Sequence, residues 1–388
     1  MPALSLCMIV RDEEPVLARC LDCIKHIMDE IIIIDTGSRD RTKEIARQYT
    51  NLVYDFPWND NFSDARNFAF SKASCDYQMW LDADDVIDAE NQQKLLDLKQ
   101  TLSADVIMMP YHIAFDEQDN PVYTYYRERI LKRSRNFQWK GAVHEAITPS
   151  GTVLYAEIPV QHRKININDP DRNLRIFEKL LSENYPLCPR EKFYYANELY
   201  YHQQYEKAAA VYQDFLTQPD GWTENQIDAC QKLSACYLAL HDTNNALKSL
   251  FQSFLYDRPR AEICCDIGRI KMHQQNWKDA VFWYESAIDA PFPSEGGFSV
   301  PDCHDYIPFM QLCVCYDRMR NFHKAKAYND KAGRIKPKDA GYLYNQNYFR
   351  EILKGCDSLW LCIHVQDAGH RIGFLVRRHR RVRHVLRW

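Results

Sequence analysis

The sequence predicts a two-part molecule: an α/β domain built on a mixed sheet with helices on both faces, then an all-α solenoid. Three observations carry this. Fully apolar strand-like runs alternate with helical patterns over the first third of the chain. Those runs end in carboxylates. Farther on, small residues recur at a period close to that of a helix-pair repeat.

Leu4–Val10 and Glu30–Asp35 are near-continuous apolar runs, as expected of strands covered on both faces. Between them Val16, Leu17, Cys20, Ile24 and Ile27 keep helical spacing behind Arg11-Asp12-Glu13-Glu14-Pro15. Thr36–Thr42 is rich in turn formers, and a helix restarts over Lys43–Tyr49. Leu52–Tyr54 reads as a third strand, and Ser63 as the N-cap of a helix running to about Ser74. Met79–Leu81 is the next strand, and it meets Asp82-Ala83-Asp84-Asp85. Were the strand to continue, its period of two would put Asp82 and Asp84 on one face. Carboxylates are costly to bury unless paired or metal-bound, and two of them suit a hard divalent cation.

Strand–helix alternation implies a sheet with ligands bound beyond the carboxyl ends of its strands. Asp35 and the Asp82/Asp84 pair occupy such ends and are expected in one crevice. There is no GxGxxG after the first strand and no GxxxxGK[ST], which disfavours a dinucleotide-binding or P-loop domain. Val106–Met109 and Ile158–His162 read as further strands, with Tyr111, Tyr123, Tyr125 and Tyr126 as either core or a sugar or peptide platform.

From residue 171 the pattern is helical. Ala208, Ala246, Ala280 and Ala325 mark four ragged repeats spaced 38, 34 and 45 residues apart, which matches the 34-residue tetratricopeptide unit with insertions. Such stacks make a concave surface for a peptide or partner; a spacer or a homodimer platform is the other expectation. The domains are therefore 1–170 (catalytic), 171–350 (helical repeats) and 351–388 (a basic tail). From 355 onward the tail carries seven Arg against two Asp. It is read as unstructured, or as lying near anionic membrane.

The 14 cysteines are scattered, and the first residues lack a basic-then-apolar leader. Reduced, buried thiols in a cytoplasmic protein are expected. Cys20 and Cys23 have CxxC spacing but fall on one amphipathic helix, and are read as structural. A net charge of −4 gives no reason to expect nucleic acid as a partner.

The runs Leu4–Glu14, Ile31–Thr42 and Leu81–Asp85 together resemble the nucleotide-sugar core of family 2 glycosyltransferases, the GT-A fold. The Phe56–Asn67 segment is similar to a subgroup with tetratricopeptide repeats behind the catalytic domain, which includes the peptide S-glycosyltransferases of glycocin biosynthesis. The resemblance implies an inverting, metal-dependent transferase that moves a sugar from a UDP-sugar to a peptide, protein or glycan acceptor. It also implies contacts to the donor from Val10, Asp35, Arg66, Asp82 and Ala83. Mn²⁺ or Mg²⁺ would be held by Asp84, with His162 as a late histidine ligand. Glu145 would be the general base and His144 its orienter or substitute. The competing readings are a helix cap for Asp35, an ion pair with Asp60 or Asp64 for Arg66, an ion pair with Arg129 or Arg133 for Glu145, and a satisfied hydrogen-bonder for His162. The alternatives in function are transfer to a cell-envelope glycan or lipopolysaccharide, and an inactive transferase domain on a repeat scaffold.

Overall fold

The computed structural model describes residues 1–116, 119–165, 169–292 and 299–365, with side chains given up to 353. Of the tail expected over 351–388, residues 351–365 are helical, as the end of the helix Ala340–Val365, and 366–388 lie outside the described residues. The chain divides into two compact units, Met1–Gln204 and Tyr205–Trp388. The division falls within the first of the four repeats read from the sequence.

The first unit is a curled nine-stranded sheet. Its strands are β1 (Leu4–Val10), β2 (Glu30–Asp35), β3 (Val53–Asp55), β4 (Tyr77–Trp80), β5 (Asp85–Val86), β6 (Val106–Phe115), β7 (Pro121–Lys132), β8 (Val153–Tyr155) and β9 (Val160–His162). They run in the order β3-β2-β1-β4-β7-β6-β9-β5, with β8 beside β6. The β3-β2-β1-β4 half is parallel, while β7 enters antiparallel to β4 and β6. The sheet is therefore mixed, in the GT-A manner.

Alternation along each strand splits the core in two. Leu4, Leu6, Met8 and Val10 pack with Ile31 and Ile33 against helix α1 (Leu17–Ile24) and α4 (Ala89–Gln100). Cys7, Ile32, Ile34 and Trp80 face the other way, against Ala69 and Phe70 of α3 (Phe62–Lys72). The short α2 (Thr42–Ala46) adds Ala46 to the first layer. Fully apolar strands are the consequence, because neither face meets water. The cap of α3 is Asn61, whose side chain accepts from Asp64 N at 3.2 Å. Ser63 instead donates to Gly141 O at 2.6 Å. The unit closes with α5 (Arg172–Ser182) and α6 (Pro189–Tyr201).

The second unit is a run of helices in which each packs on the next. They are α7 (Tyr205–Leu216), α8 (Thr223–Ala239), α9 (Thr243–Gln252), α10 (Ala261–His273), α11 (Trp277–Asp289), α12 (Tyr306–Arg318), α13 (Phe322–Ile335) and α14 (Ala340–Val365). Ala208, Ala246, Ala280 and Ala325 are all fully buried, as the tetratricopeptide-like spacing requires. The helix-pair corners share one local chemistry. Gln203, His241, Gln275 and Arg320 each take a left-handed backbone with φ of 58–60°. Each is followed by a backbone bond that closes the preceding helix: Gln204 N to Leu199 O, Asp242 N to Tyr237 O, Asn276 N to Lys271 O and Asn321 N to Tyr316 O. Asp242, Asn276 and Asn321 then cap the next helix with their side chains. Gly268 is needed for close approach: a Cβ there would lie 2.9 Å from the buried Tyr284 ring. Among the described residues no helix is long and apolar enough to cross a membrane.

Candidate active site

The centre of the site is Arg66 on α3. Its guanidinium lies 4.8 Å from the ring centroids of both Trp80 and Trp139. Those two aromatics meet edge-on at 5.0 Å. The guanidinium is thus held against two aromatic rings while its nitrogens reach two carboxylates. Nη2 donates to Asp82 Oδ1 at 2.7 Å and Nε to Glu145 Oε1 at 2.6 Å. Residues 66, 82 and 145, distant in sequence, therefore form one network. Arg66 pairs with neither Asp60 nor Asp64, and Glu145 with neither Arg129 nor Arg133. Burial alone would weaken the guanidinium, but Asp82 and Glu145 outweigh it and drive its pKa up. Burial likewise pushes the Asp82 carboxyl up, yet the charges of Arg66 and then Arg129 hold it down at about 2.

Asp82 and Asp84 do not share a strand face. The strand ends at Trp80, and Asp82–Asp85 is a turn closed by Asp85 N to Asp82 O at 3.1 Å and Asp82 N to Asp85 Oδ2 at 2.9 Å. The period-of-two expectation fails because this turn replaces the last strand residues. Its effect is to send the carboxylates to different partners: Asp82 to Arg66, and Asp84 to His162 Nδ1 at 3.2 Å.

His162 arrives from β9, which pairs with β5 so that Asp85 faces His162 in register. Nδ1 is also 3.4 Å from Asp85 Oδ1 and 2.9 Å from the Tyr111 hydroxyl. Burial pushes this imidazole down, but Asp84 and Asp85 prevail and raise it to about 10. Asp85 itself is buried and committed. Arg129 Nη1 donates to its Oδ2 at 3.0 Å, and the Tyr111 hydroxyl donates to its Oδ1 at 2.9 Å. Arg129 is sealed from solvent between the Trp80 and Tyr111 rings, at 3.8 and 4.2 Å. Asp84, Asp85 and His162 each offer one ligand atom within 4.8 Å of the others. Two carboxylate oxygens and an imidazole nitrogen could hold a divalent metal ion. Asp84 and His162 are the freer ligands, and Asp85 a buried support.

On the other side of β1, Asp35 ends β2 at the same sheet edge, in register with Val10. Its Oδ1 accepts from Gly37 N and Ser38 N, both at 3.0 Å. Its Oδ2 is buried with no hydrogen-bond partner among the described residues. Cap and ligand acceptor are therefore compatible roles, one per oxygen. Val10 O accepts from Thr36, and both Val10 and Ala83 are buried. The 11–14 and 36–42 loops are laced together, with Asp12 N donating to Ser38 Oγ at 3.0 Å and Glu13 N to Thr42 Oγ1 at 2.7 Å. Glu13 was read only as a helix-start residue. Burial, then the negative charge of Asp84 and Asp82, pushes its carboxyl up to about 7.

The segment before Glu145 is not a strand. It is a loop pinned by one bridge, Lys140 to Ala146, with Gly141 at φ 98°. Phe62 N donates to Ala142 O at 2.8 Å. His144 does not share the partners of Glu145. Its ring stacks on Tyr194 of α6, with centroids 4.1 Å apart, and Nε2 meets Glu198 Oε1 at 3.1 Å. Sequence reasoning gave no site role to Asp85, Arg129, Glu13 or Glu198, and read Tyr111 only as core or a platform. Only Asp85 and Glu13 carried a signal, as extra carboxylates at strand ends.

The first unit is thus a mixed α/β sheet with acidic clusters at its carboxyl edge, and helix pairs follow it in the chain. Residues 5–154 match the family model described as Glycosyl transferase family 2. The N-terminal part is thus a family 2 glycosyltransferase domain, and the chain is a glycosyltransferase with a tetratricopeptide-like helical region behind it. It is 28% identical over 333 residues to a TPR repeat-containing protein of Synechococcus elongatus, covering 82% of this chain and 75% of that protein. It is 25% identical over 383 residues to the SPbeta prophage-derived glycosyltransferase SunS of Bacillus subtilis, covering 92% and 87%. It is 26% identical over 161 residues to the lipopolysaccharide core biosynthesis glycosyltransferase LpsC of Rhizobium meliloti, covering 39% and 58%.

Proposed function

We propose that this protein is an inverting transferase that takes a sugar from a UDP-sugar and attaches it to a peptide or protein side chain. The observation that carries the reading is the Arg66 bridge between Asp82 and Glu145, beside the Asp84–His162 cluster. The free buried oxygen of Asp35 suits the N–H of a uracil. Asp82 and Ala83 would line the ribose and diphosphate, with Val10 at the base edge.

A divalent cation bound by Asp84 and His162, with Asp85 behind them, would supply the positive charge that a departing diphosphate needs. The remaining work belongs to the chain. Arg66 holds one oxygen of Glu145, which aims the other at the acceptor. That oxygen takes the acceptor's proton as its nucleophile attacks the anomeric carbon from the face opposite the leaving UDP. A single general base is what inversion requires. For a cysteine acceptor, with a thiol pKa of ~8.5, the base has less to do.

A peptide or protein acceptor is favoured over an envelope glycan because the sequence resembles a repeat-bearing subgroup that includes peptide S-glycosyltransferases, whereas the similarity to LpsC spans only 161 residues. The experiment is a donor screen by thermal shift with Mn²⁺, then UDP release and mass spectrometry of candidate peptides. Wild type should release UDP from one UDP-sugar, and Asp84→Ala should abolish both that release and the Mn²⁺-dependent shift. Equal silence of both proteins with every donor would leave the inactive-scaffold reading standing.

A further inference from the structure

The loop that presents Glu145 is anchored from a distance. His144 has a left-handed backbone, φ 52°, which is uncommon for a residue with a side chain and points to an outside constraint. That constraint comes from α5 and α6. The His144 ring lies nearly parallel to Tyr194, at 12°. Its Nε2 is 3.1 Å from Glu198 Oε1, which also accepts from Asn173 Nδ2 at 3.0 Å. Arg190 Nη2 donates to the His144 carbonyl at 3.2 Å. Burial pushes the Glu198 carboxyl up, but the bonds from His144 and Asn173 prevail and lower it. A carboxylate only accepts, so Nε2 of His144 carries the proton and is spent on this bond.

We infer that His144 is a positioning residue, and that the α5–α6 hairpin, through Glu198, Tyr194 and Arg190, sets where the Glu145 carboxylate points. Residue 144 is gripped at its ring, its Nε2 and its carbonyl, by three side chains of one helix. The next residue then has little freedom, and its carboxylate is delivered to Arg66. Two helices that periodicity groups with the repeats thereby act as part of the transferase machinery. The ring is a handle on the loop and takes no proton from the acceptor.

The test, which rests on Glu145 as proton acceptor, uses the full chain and UDP release from UDP-glucose or UDP-N-acetylglucosamine. Glu145→Gln in the same assay checks that underlying assignment. If it turns over like wild type, Glu145 is not the base, whatever the His144 variants do. Gln reproduces the Nε2–H donor of histidine but cannot serve as a base, and this chain already places Gln at φ 58° in Gln203 and Gln275. His144→Gln should therefore keep kcat within about tenfold of wild type. His144→Ala and His144→Gly, without the handle, should lose roughly 10²-fold in kcat, the scale of a small misplacement of a reacting group. UDP affinity by calorimetry should stay within about twofold in all three.

Glu198→Ala should resemble His144→Ala, and the double variant should be no slower than either, because both remove one shared contact. Melting curves check folding, and the His144 series stands if Glu198→Ala unfolds. A His144→Gln as slow as His144→Ala would make the imidazole a chemical participant. A His144→Gly at wild-type rate would reduce the matter to backbone angle alone. Either result overturns the positioning role.

Discussion

Arg129 and Asp85 form an ion pair with no exposed surface on either side chain. Arg129→Met removes the cation and keeps most of the volume. Stripping one partner from a buried pair costs about 3–5 kcal/mol, because the remaining charge stays buried without compensation. Asp85 would retain the Tyr111 hydroxyl and Asp82 N, which argues for the lower part of that range. The guanidinium also loses two aromatic faces, at 3.8 and 4.2 Å, worth about 2 kcal/mol when desolvated, and methionine's own packing there offsets much of this. A net loss of about 4 kcal/mol is expected. At about 2–4 °C per kcal/mol for a unit of this size, the first transition should fall by roughly 8–16 °C. Thermal unfolding followed by circular dichroism measures this shift, and urea unfolding measures the free-energy loss. Adding Asp85→Asn to Arg129→Met should recover part of the loss, since a neutral amide then replaces the stranded charge. A single variant within 1 kcal/mol of wild type, or a double variant less stable than the single, would refute the reasoning.

Two further stability experiments follow from described geometry. Glu13 has its carboxyl raised from 4.5 to about 7, so the folded state holds a proton that the unfolded chain releases. Folding is therefore penalised progressively as pH rises from 4.5, and fully above about 7. For a sealed group this gap would be about 3 kcal/mol, but Glu13 is only half-buried, and about 1 kcal/mol is expected. Glu13→Gln should match wild type at pH 4.5 and be more stable at pH 8 in chelator-treated protein; an equal difference at both pH values would contradict this. Gly268→Ala should lose about 1–2 kcal/mol, because crowding against Tyr284 exceeds the helix propensity gained. A raised melting temperature would show that the ring gives way.

The strands β1 and β2 were legible to the residue because strands sealed on both faces advertise themselves as unbroken apolar runs. The buried alanines of the repeats were equally legible, since their period is set by helix stacking. The site was legible as a set of residues but not as a set of pairings. Arg66, Asp82 and Glu145 were singled out, yet their mutual bonds depend on a loop folding back across 79 positions. Asp85 was hidden because its partner was a matter of register. In sequence Arg129 stands only as a competing partner for Glu145, beside Arg133, whereas the β4–β7 pairing and the turn at Asp82 carry it to Asp85. His144 was grouped with Glu145 because they are adjacent, and adjacency says nothing about a ring drawn toward Glu198, 54 residues on.

The corners of the helix pairs have a practical consequence. Gln203, His241, Gln275 and Arg320 hold a backbone angle that glycine adopts freely, and each side chain costs about 1 kcal/mol to keep there. Helix arrays of this kind transmit such costs mainly to immediate neighbours. Replacing one corner with glycine should therefore relieve the strain of that hairpin and leave the others as they were. Each of these corners is a separate tuning point, remote in sequence from Arg66 and the carboxylates around it, at which strain can be removed stepwise.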